Sequence, residues 1–355
     1  MYTSPLTNSK NTNLLYKQKS IPLFQNMYYA TKEEALNAKT IDVDLVQCLD
    51  TGFVFSGGFD INKLEYDKNY QNEQANSPFF QEHLSIVIDL LNKEGLLNGK
   101  ILEIGCGKGF FMDLIAENGF EIIGIDPTYE GDSDKIIKEY YSEKFAYLNA
   151  DLIVLRHTLE HIPKPLDFLQ MIAKSNNYKG HIYIEIPTFD WIVKHNSIED
   201  IFYEHCNYFT TESISQLFEE CNVVPLFNEQ YIGIVANLSQ VKKEIKPVQN
   251  IEVHNFNFLD KLNEYKNSLD KINNIAIWGA GAKGSTFLNL LDKNSNKIKC
   301  VFDIHPKKQN MYIGGTGHQI LKPPPFEIDN IIVMNDNYIQ EIRESLPKKI
   351  NLITL

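Results

Sequence analysis

The sequence has few of the features that would place it outside a reducing, aqueous compartment or on a nucleic acid. Only five cysteines occur in 355 residues, Cys48, Cys106, Cys206, Cys221 and Cys300. They are scattered, odd in number and never spaced Cys-x-x-Cys, so neither a disulfide framework nor a thiolate zinc site is indicated. No apolar run approaches the ~20 residues of a membrane span, and the first thirty residues are polar, without a signal-like apolar core. A cytoplasmic protein with no membrane partner is expected. Basic blocks are missing too: 34 Lys and Arg stand against 46 Asp and Glu, a formal net charge of −12. Binding to a phosphate backbone would lack its electrostatic drive, so nucleic acid is not an expected partner.

What the chain does have is length and an alternation of strand-like and helix-like patterns. Its length suits two domains and a small N-terminal extension. Residues 1–60 read as polar and irregular, apart from a short hairpin of 44–48 and 53–55 around Asp50-Thr51-Gly52. From Pro78 to Leu97 apolar residues recur at helical spacing (Phe79, Leu84, Val87, Ile88, Leu91), and Asn98-Gly99 closes that helix. A strand, a glycine loop, a helix over 110–118 and a strand over 121–126 follow. Further strands are expected at 150–155 and at 181–186, stopping at Pro187, with a helix over 211–220. A charged, proline-containing linker spans 242–250. A polar helix (256–269), a second strand-glycine-helix unit (275–284), strands ending at Asp303 and at Met334, and a helix over 339–346 complete the chain. Strand-helix-strand order demands parallel sheets. The expected fold is therefore α/β, with an accessory module over 1–65 and Rossmann-like domains over 66–245 and 246–355.

The stretch Ile-Leu-Glu-Ile-Gly-Cys-Gly-Lys-Gly (101–109) breaks an apolar strand into a glycine loop. Gly105, Gly107 and Gly109 let the backbone turn tightly and approach a ligand that a Cβ would obstruct. Glu103 puts a carboxylate at the strand end, which disfavours a phosphate and favours a ligand carrying an ammonium group. Asp126 ends the next strand, placed to accept hydrogen bonds from ribose hydroxyls. A nicotinamide cofactor on an ordinary Rossmann turn is the alternative, and Glu103 weighs against it. Cys106 reads as a small residue near the ligand rather than a nucleophile. These residues resemble motif I of the class I methyltransferases, which implies S-adenosylmethionine as cofactor.

Proton handling points to Phe202-Tyr203-Glu204-His205-Cys206-Asn207-Tyr208-Phe209. A histidine beside a carboxylate can act as a base near neutral pH, and a tyrosine can donate to a carbonyl oxygen. The alternative is a surface turn carrying an aromatic patch. Taken with residues 150–209, the run 275–284 and Asp303-Ile-His-Pro-Lys-Lys-Gln309, this segment resembles the sugar C-methyltransferases that act on nucleotide-linked deoxysugars. Those enzymes carry a Tyr-His-Glu-His-x-x-Tyr-Phe segment and a C-terminal Gly-Ala-x-Ala-Lys-Gly domain. The resemblance implies a nucleotide-activated sugar as substrate, His205 as the base that removes a proton beside a ketone, and Glu204, Tyr208 and Tyr203 as its catalytic neighbours.

This chain departs from that pattern at three places. Phe202-Tyr203 stands where the family has Tyr-His, and Gln230-Tyr231-Ile232-Gly233 stands where it has a His-Gly-Gly-Ser-type segment. The N-terminal zinc module of the family would keep one cysteine, Cys48, with Thr51 in place of its mate, so a degenerate module without metal is expected. The first two changes leave open O- or N-methylation of a sugar or glycan precursor; the altered Phe202-Tyr203 pair and the missing zinc ligands leave open a non-catalytic protein that binds the cofactor.

His157 and His161 flank the helix expected after the 150–155 strand. His157 is expected to reach the cofactor, whereas packing or solvent exposure serves equally for His161. Tyr70-Gln-Asn-Glu-Gln74 reads as a lid over the ligands or a solvated loop. The run 279–284 with Asp303 would by itself suggest a dinucleotide; Lys283 stands at the position usually held by a small residue, and the resemblance implies a structural or nucleotide-contacting domain instead of a redox one.

Overall fold

Four short runs rich in Ile, Leu and Val form the parallel heart of a seven-stranded sheet. They are Ile101–Ile104, Ile122–Ile125, Leu152–Arg156 and His181–Pro187. The computed structural model describes residues 2–66, 69–323 and 327–354. Across the sheet the order is Asn222–Leu226, Tyr231–Asn237, His181–Pro187, Leu152–Arg156, Ile101–Ile104, Ile122–Ile125, Ile136–Ile137. Tyr231–Asn237 runs antiparallel to His181–Pro187, and Asn222–Leu226 antiparallel to it in turn. One antiparallel hairpin at the edge of a parallel sheet, in this order, is the class I methyltransferase arrangement. The central strands are apolar on both faces because helices cover both sides.

Helix Pro78–Lys93 covers one face. Ser77 caps it by accepting the Phe80 N–H, Pro78 occupies the first turn, and Leu84, Val87, Ile88 and Leu91 form its buried stripe. It stops at Lys93 rather than at Leu97, because Gly95 turns into the left-handed region at φ +68. Thr211–Ser215 is likewise shorter than the 211–220 expected: Phe218 leaves the helix to bridge Val241.

A second sheet of five parallel strands follows, ordered Ile320–Leu321, Ile298–Phe302, Ile275–Trp278, Asn330–Val333, Asn351–Ile353. This is the second Rossmann-like unit that the alternation implied. Among the described residues no helix is long and apolar enough to cross a membrane.

The N-terminal region differs from the irregular segment expected. Thr12–Pro22 is an eleven-residue strand paired with Thr40–Cys48, which pairs in turn with Val54–Gly57. The expected hairpin is present within this sheet. The fourth strand, Asn207–Tyr208, is supplied by the region that carries the first glycine loop. Tyr28–Tyr29 pairs with Tyr312–Ile313 of the C-terminal unit. Ile21, Leu45, Val54, Tyr203, Phe189, Ile277 and Phe287 all pack into one core cluster. Residues from three parts of the chain thus share one interior, which fixes the two sheets relative to each other.

Candidate functional site

The carboxyl ends of both parallel sheets open onto one cleft of about 390 Å³. Strand ends are where α/β proteins bind ligands, and here two such ends face each other. Glu103, Gly105, Gly107 and His157 line one side, while Gly279, Gly281, Lys283 and Asp303 line the other.

On the first side the glycine loop is held open by its own backbone. Gly105, Gly107 and Gly109 have φ of +78, +55 and +84. A Cβ on Gly105 would meet Thr158 Oγ1 at 2.3 Å. The Gly107 N–H donates to Asp126 Oδ2 at 2.8 Å, and Asp126 Oδ1 accepts from the Thr128 N–H and hydroxyl, both at 2.7 Å. Asp126 therefore braces the loop. Glu103 is 2 % exposed and its Oε2 finds no hydrogen-bond partner among the described residues. Burial pushes its carboxyl up to about 8, against the pull of nearby Arg156. A buried carboxylate without a partner beside a glycine cradle fits a ligand that brings an ammonium group. The methionyl end of S-adenosylmethionine is such a ligand.

Behind His157 lies a network that sequence reading missed. Glu185, fully buried, accepts from Arg156 Nη2 at 2.9 Å and from the Tyr183 hydroxyl at 2.8 Å, and pairs with His83 Nε2 at 3.0 Å and His157 Nε2 at 3.1 Å. Burial alone would raise its carboxyl, but Arg156 and the two histidines hold it well below the usual carboxylate range. Burial opposes the charge on His157, yet Glu160 and Glu185 outweigh it and push the imidazole up to about 9. His157 has φ +48, a left-handed backbone that aims its ring into the cleft. The signal available in sequence was charge at the ends of two buried strands, since Arg156 and Glu185 are register partners.

The second cluster combines Glu160, His161 and His205, all on the cleft wall. His161 Nδ1 lies 2.8 Å from the Glu204 carbonyl oxygen, and its ring is 4.8 Å from that of His205. Burial, then the neighbouring His161 and His157, hold the His205 imidazole well below its ordinary value, so it is neutral. The other residues of this segment face elsewhere. Glu204 Oε2 accepts the Gln25 N–H at 2.6 Å, on the N-terminal side. The Tyr203 hydroxyl accepts the Asp60 N–H at 2.8 Å, and the Tyr208 hydroxyl accepts the Phe202 N–H at 3.1 Å while donating to the Phe202 carbonyl at 3.0 Å. None of these three lines the cleft. Cys106 is buried with its thiol pushed up by desolvation, which suits a packing role.

The opposite wall repeats the first loop's logic. Asp303 Oδ2 accepts the Ala280 N–H at 2.9 Å, as Asp126 does for Gly107, and a Cβ on Gly284 would lie 2.0 Å from the Gly279 carbonyl oxygen. Lys283 pairs with Asp200 at 2.7 Å across the cleft. Tyr70, Asn72, Glu73 and Gln74 also line the cleft, as do Gln230 and Tyr231.

A family model described as a methyltransferase domain matches residues 79–224. Residues 79–224 are a methyltransferase domain. Its cofactor is S-adenosylmethionine. A second model, described as C2185-like, N-terminal, matches residues 271–352. A C-methyltransferase, NovU, from Streptomyces niveus is 26 % identical over 152 residues, covering 39 % of this chain and 36 % of that protein. A ubiquinone biosynthesis O-methyltransferase from Aliivibrio fischeri is 29 % identical over 108 residues, covering 26 % of this chain and 46 % of that protein. The match thus spans less than half the length of either relative. Among solved structures, the methyltransferase domain of a bacterial CtHen1 has 14 % identity and a TM-score of 0.35, covering 44 % of this chain and 98 % of that one. A methyltransferase from Archaeoglobus fulgidus has 19 % identity and a TM-score of 0.31, covering 45 % and 99 %.

Proposed function

We propose that the protein transfers a methyl group from S-adenosylmethionine to a nucleotide-activated deoxy- or keto-sugar, with carbon as the acceptor atom. The observation that carries this reading is His205, a neutral imidazole without a hydrogen-bond partner among the described residues, on a cleft shared by two glycine loops. His205 removes the proton beside the sugar ketone, and the enolate carbon attacks the sulfonium methyl. The C–S bond breaks with its electron pair going to sulfur, and S-adenosylhomocysteine leaves. Base catalysis of this kind contributes roughly 10²–10⁴ in rate. Glu103 grips the methionyl ammonium, Gly105 and Gly107 on the cleft wall admit the cofactor while Gly109 packs towards Ile136, and Asp126, with three of about four acceptor positions taken by Gly107 and Thr128, keeps one for the ribose. Glu204, Tyr203 and Tyr208 act as positioning residues that hold the turn carrying His205. The likeness to NovU supports carbon chemistry.

The second reading is methylation of a sugar oxygen or nitrogen. The likeness to O-methyltransferases favours it, as does the Gln230-Tyr231 segment on the cleft wall. Incubating keto-sugar nucleotides with the protein in deuterated water, without cofactor, separates the two. Exchange at the carbon beside the ketone, abolished in His205→Ala, is the expected result; a substrate that accepts methyl but never exchanges requires the oxygen or nitrogen reading.

A further inference from the structure

We propose that Glu160, His161 and His205 form a binding site for one divalent first-row transition cation in the cleft. This goes beyond the methyltransferase reading, which needs no metal. One ligand atom from each of the three residues lies within 4.8 Å of the other two. Ligands at about 2.0–2.2 Å from one ion stand roughly 3–4.4 Å apart, so side-chain adjustment draws the cluster closed on a cation.

Two independent features point to a ligand. Glu160 is 1 % exposed, yet its Oε2 has no hydrogen-bond partner among the described residues. A buried carboxylate oxygen left in this state costs stability unless a cation or donor satisfies it. His161 Nδ1 faces a backbone carbonyl, which can only accept, so Nδ1 carries the hydrogen and Nε2 is the nitrogen left to act as a ligand. A backbone carbonyl that orients a histidine in this way is the usual support of a metal-ligating imidazole. His205 adds a second imidazole, its ring 4.8 Å from that of His161. Two imidazoles and one carboxylate suit iron, cobalt, nickel or zinc better than magnesium, which prefers oxygen alone.

All three residues line the cleft. His205, once bound to the cation, has no lone pair for a C–H proton, so occupancy of this site takes up the base that the carbon reading relies on and inhibits methyl transfer.

The test uses the full chain, stripped with a chelator and titrated with Co²⁺ alone, with neither cofactor nor acceptor present. Failure here is thus separate from failure of the sugar reading. One equivalent is expected to bind, with the visible ligand-field absorption of nitrogen- and oxygen-coordinated cobalt. Affinity should fall by more than about tenfold in the isosteric Glu160→Gln and again in His161→Ala, with far-ultraviolet circular dichroism confirming that both fold. Absence of saturable binding, binding indifferent to Glu160→Gln, or a thiolate charge-transfer band from one of the five cysteines would each overturn the proposal.

Discussion

His161 Nδ1 donates to the main-chain carbonyl of Glu204 at 2.8 Å, so the turn after one strand fixes the backbone of the segment that carries His205. Two histidines 44 positions apart in sequence are thereby set with their rings 4.8 Å apart. Removing the His161 ring while keeping the fold should leave the turn looser and His205 less well placed.

Glu103 gives the first prediction. Its carboxyl sits at about 8 when alone, and only the ionised form holds an ammonium group. Affinity for S-adenosylhomocysteine should therefore rise with pH between about 6 and 8, by up to about tenfold per unit. Calorimetry across this range checks it, and Glu103→Gln should remove the slope along with much of the affinity.

Glu185 is fully buried against one guanidinium, two imidazoles and a phenol. Glu185→Gln leaves those groups without their counter-charge. Breaking a buried pair from one side costs about 3–5 kcal/mol, which urea denaturation should register as a lower midpoint.

His157 makes stability depend on pH on the alkaline side. Its folded value of about 9 lies above its ordinary one, so its contribution is complete below about 6.5 and is lost as pH rises through 9. Wild type should lose stability over that window, and His157→Gln should lose less over the same window. Equal slopes in the two proteins would contradict the assignment.

Gly105→Ala places a methyl group 2.3 Å from Thr158 Oγ1 at a φ of +78. The loop must shift at the point where the cofactor enters. Cofactor affinity should drop sharply in this variant, and Gly105→Ala with Thr158→Ala should recover only the steric part of the loss, because the backbone strain remains.

Both glycine loops were legible because their chemistry is local: a strand, a turn that tolerates only glycine, and an acid at the end of the next strand. Asp126 and Asp303 both turned up hydrogen-bonded to their own loops. The strand Thr12–Pro22 was not legible, since it lies at a sheet edge and much of its surface is polar and exposed. His205 was found on the cleft wall, whereas Glu204, Tyr203 and Tyr208, its neighbours in sequence, point into packing on other sides. Adjacency along a tight turn says little about which residues share a face. The Glu185 network needed the register of two parallel strands, which pattern alone does not supply.

The most direct test of the proposed chemistry is transfer of an isotopically labelled methyl group from S-adenosylmethionine to a panel of keto-deoxysugar nucleotides, with wild type and His205→Ala compared. Label bound to a sugar carbon in wild type, reduced by roughly 10² or more in the variant, is the predicted result. Label that reaches no sugar nucleotide, or transfer undiminished in His205→Ala, would contradict the account.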